Sequence, residues 1–195
     1  YIGANGLNKH IGITENTLSD LKSSLDGLPV CCIARKVLTI SSFEEAVNFI
    51  KKVKHASGQN YILGSRHDII SLECASDLVT EYWPDSAKTF TYHTNRPLVN
   101  KSYHPAYFDH LKLLYGEIPE SISFSDERLK SLQGKILANK FISLEIIKDA
   151  LSENPVCNSN TFASTIMEFN NDYNQLMISP GRPDSVKYLV FRIMK

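Results

Sequence analysis

The amino-acid sequence predicts an α+β fold, in which blocks of helix and blocks of antiparallel strand follow one another along one chain. Two observations support this prediction. Apolar residues recur every three or four positions in some segments, as in helices, and every two positions in others, as in strands. Turn-forming residues also separate the strand segments at short intervals, as expected for an antiparallel meander. The predicted order is β, α, β, α, β.

The first block is a β-hairpin followed by two helices. Glycine and asparagine residues interrupt the segment of residues 6–14, which predicts two strands joined by a tight turn. Pro29 suits the first turn of a helix over residues 30–38. Ser42, followed three residues later by Glu45, fits a capping box that starts a helix over residues 46–53.

The period then changes to two, which predicts a meander of four short strands over residues 60–63, 68–73, 78–83 and 88–92. Helical spacing returns over residues 106–115, 126–137 and 144–151, with Ser125 and Ser143 as N-caps. The last block is predicted to contain strands over residues 161–169, 174–178 and 186–194.

The composition indicates one ordinary globular domain over residues 1–195, since 43% of the residues are hydrophobic and 22% are charged. Lysine plus arginine and aspartate plus glutamate both total 21, so no overall field attracts nucleic acid. The longest apolar runs, residues 28–33 and 188–191, are too short to cross a membrane. We therefore expect a cytoplasmic protein with no nucleic-acid or membrane partner, and leave open whether it forms a homo-oligomer.

The four cysteines are expected to be reduced thiols. Cys31, Cys32, Cys74 and Cys157 do not have the spacing of a zinc site, and the adjacent pair is a poor disulfide framework. Free cysteine is usually interior, so we predict that Cys31 and Cys32 are small buried side chains. We predict no metal and no cofactor.

The segment most suited to hold a functional site is the loop around residues 95–104, because loops on a rigid sheet often hold such sites. Asn95 carries a neutral amide donor that could face a developing oxyanion. The alternative is that Asn95 only forms a turn before Pro97. His93 and His104 flank the loop, and the pattern assigns neither of them a role.

Several short segments of the chain together resemble one known family. They are residues 6–12, 27–30, 35–38, 59–63, 71–73, 93–98, 161–167 and 179–183. In this order they are similar to the acyl-coenzyme A:6-aminopenicillanic acid acyltransferases, the C45 peptidase family, which is related to choloylglycine hydrolases. The resemblance implies an N-terminal nucleophile hydrolase with a four-layer αββα sandwich, of which this chain is the C-terminal portion.

The resemblance also implies amide-bond hydrolysis or acyl transfer on a small-molecule amide or acyl substrate. The nucleophile of the family is a cysteine that self-cleavage exposes as the first residue, and residue 1 here is Tyr. We therefore expect an N-terminal segment outside this chain to supply the nucleophile. By similarity, the side-chain amide of Asn95 stabilises the oxyanion, and the backbone N–H of Asn16 completes the oxyanion hole.

Two alternatives remain open at this point. Relatives often have an arginine where residues 106–110 stand and another near residues 156–158, and this chain has none there. That difference favours a non-catalytic fragment or degenerate relative that acts as a binding or structural module. The other alternative is a thiol enzyme that uses Cys32 or Cys157 with a histidine from elsewhere.

Overall fold

The computed structural model describes residues 5–116, 124–139 and 141–195. The chain divides into two compact units, Tyr1–Ile122 and Ser123–Lys195. The single domain predicted over residues 1–195 stays a prediction. Among the described residues, no helix has the length and apolar character needed to cross a membrane.

In the described part of the first unit, five antiparallel strands form one sheet in sequence order. They are β1 (Gly6–Leu7), β2 (Gly12–Thr17), β3 (Gln59–Gly64), β4 (Ile69–Cys74) and β5 (Val79–Tyr82). The opening hairpin is as predicted. Asn8 shapes its turn, because its side-chain oxygen accepts from the backbone N–H groups of His10 and Ile11 at 2.7 and 2.6 Å.

Two helices, α1 (Val30–Val37) and α2 (Phe43–Lys52), cover one face of this sheet. The predicted cap is confirmed, since Ser42 accepts a hydrogen bond from the backbone N–H of Glu45. Alternation along each strand directs every second side chain to these helices. The buried side chains shared by sheet and helices include Ile13, Tyr61, Leu63, Ile70, Leu72, Ile33, Val37, Val47 and Ile50.

The prediction that Cys31 and Cys32 are buried is wrong, because both are exposed. Ile33, Ala34 and Val37 form the buried face of α1. Cys31 and Cys32 therefore lie on the opposite face of the same helix, which is turned to solvent. The helical phase of this short segment outweighs the general preference of cysteine for the interior.

The prediction of a strand over residues 88–92 is also wrong, since this segment is a loop after β5. Lys88 has a φ of 54°, which breaks an extended backbone. Its N–H donates to the side chain of Asp85 at 3.0 Å, so residues 85–88 form a turn. Helix α3 (Ala106–Tyr115) follows this long loop, as predicted.

The second unit contains helices and a separate sheet. Its described elements are α4 (Phe124–Leu137), α5 (Leu144–Ser152), β6 (Ser164–Phe169), β7 (Tyr173–Ser179) and β8 (Leu189–Met194), and the three strands are antiparallel. Ser143 caps α5 as predicted. Ser125 does not cap α4, because that helix begins one residue earlier and Ser125 lies in its first turn.

Candidate active site

A buried carboxylate holds the loop after β5 against the sheet. Glu73 lies on β4, and alternation places it on the face opposite to α1 and α2. The backbone N–H groups of Leu98, Val99 and Asn100 donate to its carboxylate at 2.6, 3.1 and 2.7 Å. Successive N–H groups often form a concave site for a bound anion. In this protein the anion is a side chain of the chain itself.

Asn100 fastens the same loop by its side chain. Its Nδ2 donates to the backbone carbonyls of Glu73 and Leu78, each at 3.0 Å. Its Oδ1 accepts from the backbone N–H of Ser102 at 2.9 Å. Asn100 is fully buried, and the two amide hydrogens and the oxygen all have partners. The end of the loop is therefore fixed to β4 and to the turn before β5.

His93 binds Glu73 from the beginning of the loop. Its Nε2 lies 2.7 Å from Oε1 of Glu73, and its Nδ1 lies 2.6 Å from the backbone carbonyl oxygen of Thr94. A carbonyl oxygen and an ionised carboxylate both only accept hydrogen bonds. Assigned from these partners, both ring nitrogens carry protons, and His93 and Glu73 form a buried ion pair.

The surroundings of Glu73 favour its ionised form. Burial raises the pKa of this carboxyl, whereas the hydrogen bonds from His93, Asn100 and Leu98 lower it. The hydrogen bonds outweigh burial, so the pKa of Glu73 lies below its ordinary value. The carboxylate is therefore charged at neutral pH, as its four donors require.

This lowered pKa predicts a loss of stability in acid. The stabilisation is complete above the ordinary pKa of 4.5 and is lost as the pH falls through the lower value of the folded state. The free energy of unfolding can be measured with urea at a series of pH values. We expect it to decrease once the pH drops below about 4.5. In a Glu73→Gln variant the fall should be shallower. Equal slopes in the two proteins would contradict the prediction.

Asn95 occupies the exposed part of this loop. Its Nδ2 donates to the backbone carbonyl of Thr17 at 3.3 Å, at the end of β2. Thr17 and Asn95 are both exposed, and Asn16 is half-buried. The structure thus brings the two residues predicted for the site, Asn95 and Asn16, to the same end of one strand, although they are far apart in sequence.

The direction of the backbone groups at the end of β2 decides which of them face Asn95. The N–H of Leu18 donates to Gly58, on the β3 side, whereas the N–H of Glu15 donates to Asn5 on the other side. Because directions alternate along an antiparallel strand, the N–H of Asn16 points to β3. The N–H of Thr17 points away from β3, on the same side as the carbonyl that binds Asn95.

A glycine allows the end of β2 to lie close to the chain entering β3. A Cβ atom on Gly58 would lie only 2.2 Å from the carbonyl oxygen of Leu18. Any larger residue would push the two backbones apart. Gly58 therefore helps to set the position of Thr17 relative to the sheet.

Asn16, Asn60 and Glu73 form a polar row across β2, β3 and β4, because they are paired in register. Asn60 is fully buried, and its Oδ1 accepts from the hydroxyl of Ser71 at 2.8 Å. Among the described residues its Nδ2 has no partner. The face of the sheet that carries the loop is thus polar, in contrast to the face under α1 and α2.

Sequence reasoning did not identify Glu73, His93 or Asn100 as parts of the site. Glutamate on an alternating strand usually indicates a solvent-facing position, and a loop histidine has no specific signal. His104, the other flanking histidine, is exposed and accepts from the backbone N–H of Ala106 through Nδ1 at 3.2 Å. It contributes to the start of α3 rather than to the loop around Asn95.

The structure offers little support for a catalytic thiol within the described residues. The neighbouring thiol of Cys31 raises the pKa of Cys32, which disfavours the reactive thiolate. Burial raises the pKa of Cys74. Cys157 is itself buried.

Comparison with known proteins agrees with the resemblance noted in the sequence. The family model described as acyl-coenzyme A:6-aminopenicillanic acid acyl-transferase matches residues 3–179, which include β2 and the Asn95 loop. A search among curated proteins found no match. The family match indicates acyltransferase or hydrolase chemistry in general. Because the match covers most of its length, the chain belongs to the acyl-coenzyme A:6-aminopenicillanic acid acyl-transferase family.

Proposed function

We propose that the chain forms part of an amide hydrolase or acyltransferase in which Asn95 stabilises an oxyanion. The observation that supports this most is the exposed Asn95 amide at the end of β2, on a loop bound to a buried carboxylate. A neutral amide held in place before the reaction can stabilise negative charge on a carbonyl oxygen. The proposed substrate is a small-molecule amide or acyl compound.

The second donor in this proposal is a backbone N–H at the end of β2. The family resemblance favours Asn16. The alternating directions along the strand favour Thr17, since its N–H lies on the side where Asn95 binds. The proposed hole therefore comprises Asn95 with the backbone N–H of Thr17, which lies on its side of the strand, or with that of Asn16, as the resemblance implies.

The proposed nucleophile is a cysteine at the processed N-terminus of a segment outside these 195 residues. Its α-amino group takes the proton of the thiol as the sulfur attacks the acyl carbon. A C–S bond forms, and the negative charge moves to the carbonyl oxygen beside Asn95. Collapse breaks the C–N bond, and the amine leaves with a proton from the α-ammonium group. Water then hydrolyses the thioester, or an amine accepts the acyl group. We also propose that the chain forms part of a four-layer αββα sandwich, the fold of this enzyme class.

The test uses full-length protein that contains the preceding segment. The activated ester p-nitrophenyl hexanoate is expected to acylate the processed N-terminal cysteine, with release of one nitrophenolate per adduct. Peptide mass spectrometry locates the adduct. Because Cys31 and Cys32 are exposed, a variant with both replaced by serine excludes adducts on them. An unprocessed N-terminus, or no adduct there, would contradict the proposal and support the non-catalytic alternative.

A further inference from the structure

We propose that Glu73 and His93 are positioning residues, which affect the reaction only through the amide of Asn95. This inference rests on the proposed function. Both side chains are completely buried, so neither of them is placed to contact a substrate. Both belong instead to the network that holds the loop of residues 93–100.

The two ends of the segment around Asn95 bind the same atom. His93 at one end and the backbone N–H of Leu98 at the other both lie against Oε1 of Glu73, at 2.7 and 2.6 Å. Residues 93–98 therefore form a short closed loop with Glu73 at its base and Asn95 near its tip. Loss of the negative charge on Glu73 would loosen both ends together.

The segment also crosses the sheet between two anchors on different strands. His93 is bound to Glu73 on β4, whereas Asn95 is bound to Thr17 on β2, and β3 lies between these strands. Strands are spaced about 4.8 Å apart, so the anchoring strands are roughly 10 Å apart. The backbone from residue 93 to residue 95 spans at most about 7 Å, and side chains must cover the rest. Because one residue, Thr94, separates His93 from Asn95, we expect a shift of His93 to move the Asn95 amide.

A double-mutant cycle tests this role in the full-length protein. The readout is the rate constant for nitrophenolate release from p-nitrophenyl hexanoate. Glu73→Gln alone is expected to lower it by about 10- to 100-fold, since a displacement of about 1 Å can cost a factor of that size. In an Asn95→Ala background the same change is expected to have no further effect. A purely structural role would lower the rate by the same factor in both backgrounds, and that result would overturn the inference.

Glu81→Gln is the matched control for this cycle. Glu81 lies on β5 and pairs with Lys51 at the surface at 2.6 Å, so its replacement should leave the rate unchanged. The nitrogen-15 shift of the Asn95 side-chain amide provides a readout without substrate. It should move in Glu73→Gln and stay in place in Glu81→Gln, and an unmoved shift in both would overturn the inference.

Two further outcomes separate this inference from the proposed function. If Asn95→Ala leaves the rate unchanged, the proposed function fails, and the inference fails with it. If Asn95→Ala slows the reaction and the effects of the two substitutions multiply, only the positioning role fails. Where Glu73→Gln does not fold, His93→Ala takes its place in the cycle, because it leaves the three backbone donors on Glu73.

Discussion

Replacement of Asn95 by alanine is expected to lower the acylation rate constant of the full-length protein by about 10²- to 10³-fold, the effect typical of one lost oxyanion donor. The amide binds negative charge that develops in the transition state, so the loss should fall on kcat more than on KM. Stopped-flow measurement of nitrophenolate release over a range of ester concentrations separates the two constants.

Asn139→Ala is the matched control for Asn95→Ala. Asn139 is also exposed, and its Nδ2 donates to a backbone carbonyl, that of Lys135, at 2.7 Å. Each substitution removes one exposed side-chain hydrogen bond, worth about 1 kcal/mol or less in stability. Similar unfolding curves with very different rates would identify a functional role for Asn95. If the two variants lose the same small fraction of activity, Asn95 is not an oxyanion donor.

Replacement of Glu73 by alanine is expected to lower the free energy of unfolding by about 3–5 kcal/mol, as when one partner of a buried ion pair is removed. The substitution leaves the imidazolium of His93 without its carboxylate. It also removes the acceptor for three backbone N–H groups. Urea denaturation of the full-length protein measures the loss.

Glu81→Ala provides the comparison at the surface. Its carboxylate pairs with Lys51, and both side chains are 38% exposed. Exposed pairs contribute about 0–1 kcal/mol, so this variant should unfold at nearly the same urea concentration as the parent. Equally small losses in the two variants would show that the buried network contributes little to stability.

Much of the first unit could be predicted, because its local patterns agree with its tertiary contacts. Alternation along residues 60–63 places Tyr61 and Leu63 under the helices and Asn60 on the other face. The side chain of Ser42 starts α2 through a local hydrogen bond that depends only on nearby residues. Such features need no information from distant parts of the chain.

Two of the structural predictions are wrong for local reasons that can be seen in the sequence itself. The phase of Ile33, Ala34 and Val37 on α1 already places Cys31 and Cys32 on the outer face. Over residues 88–92, alternation suggested a strand, but the turn at Asp85 to Lys88 redirects the backbone after β5. The helical phase outweighs the preference of cysteine for the interior in the first case, and the turn outweighs the alternation in the second.

The network around Glu73 could not be predicted from the pattern. Its carboxylate is buried only because a segment 20 to 27 residues further along the chain folds back over it. The role of Asn95 came from the family resemblance, since a turn before Pro97 explains this asparagine equally well. The structure adds that Asn95 meets the end of β2.

The buried position of Glu73 also has a consequence for the behaviour of the loop in salt. Dissolved ions weaken exposed pairs such as Lys22 with Asp77, because counterions reach both charges. They do not reach a carboxylate that is enclosed by peptide groups and an imidazolium. The Asn95 loop should therefore keep its shape from dilute buffer to concentrated electrolyte, while the outer charge pairs of the same unit dissociate.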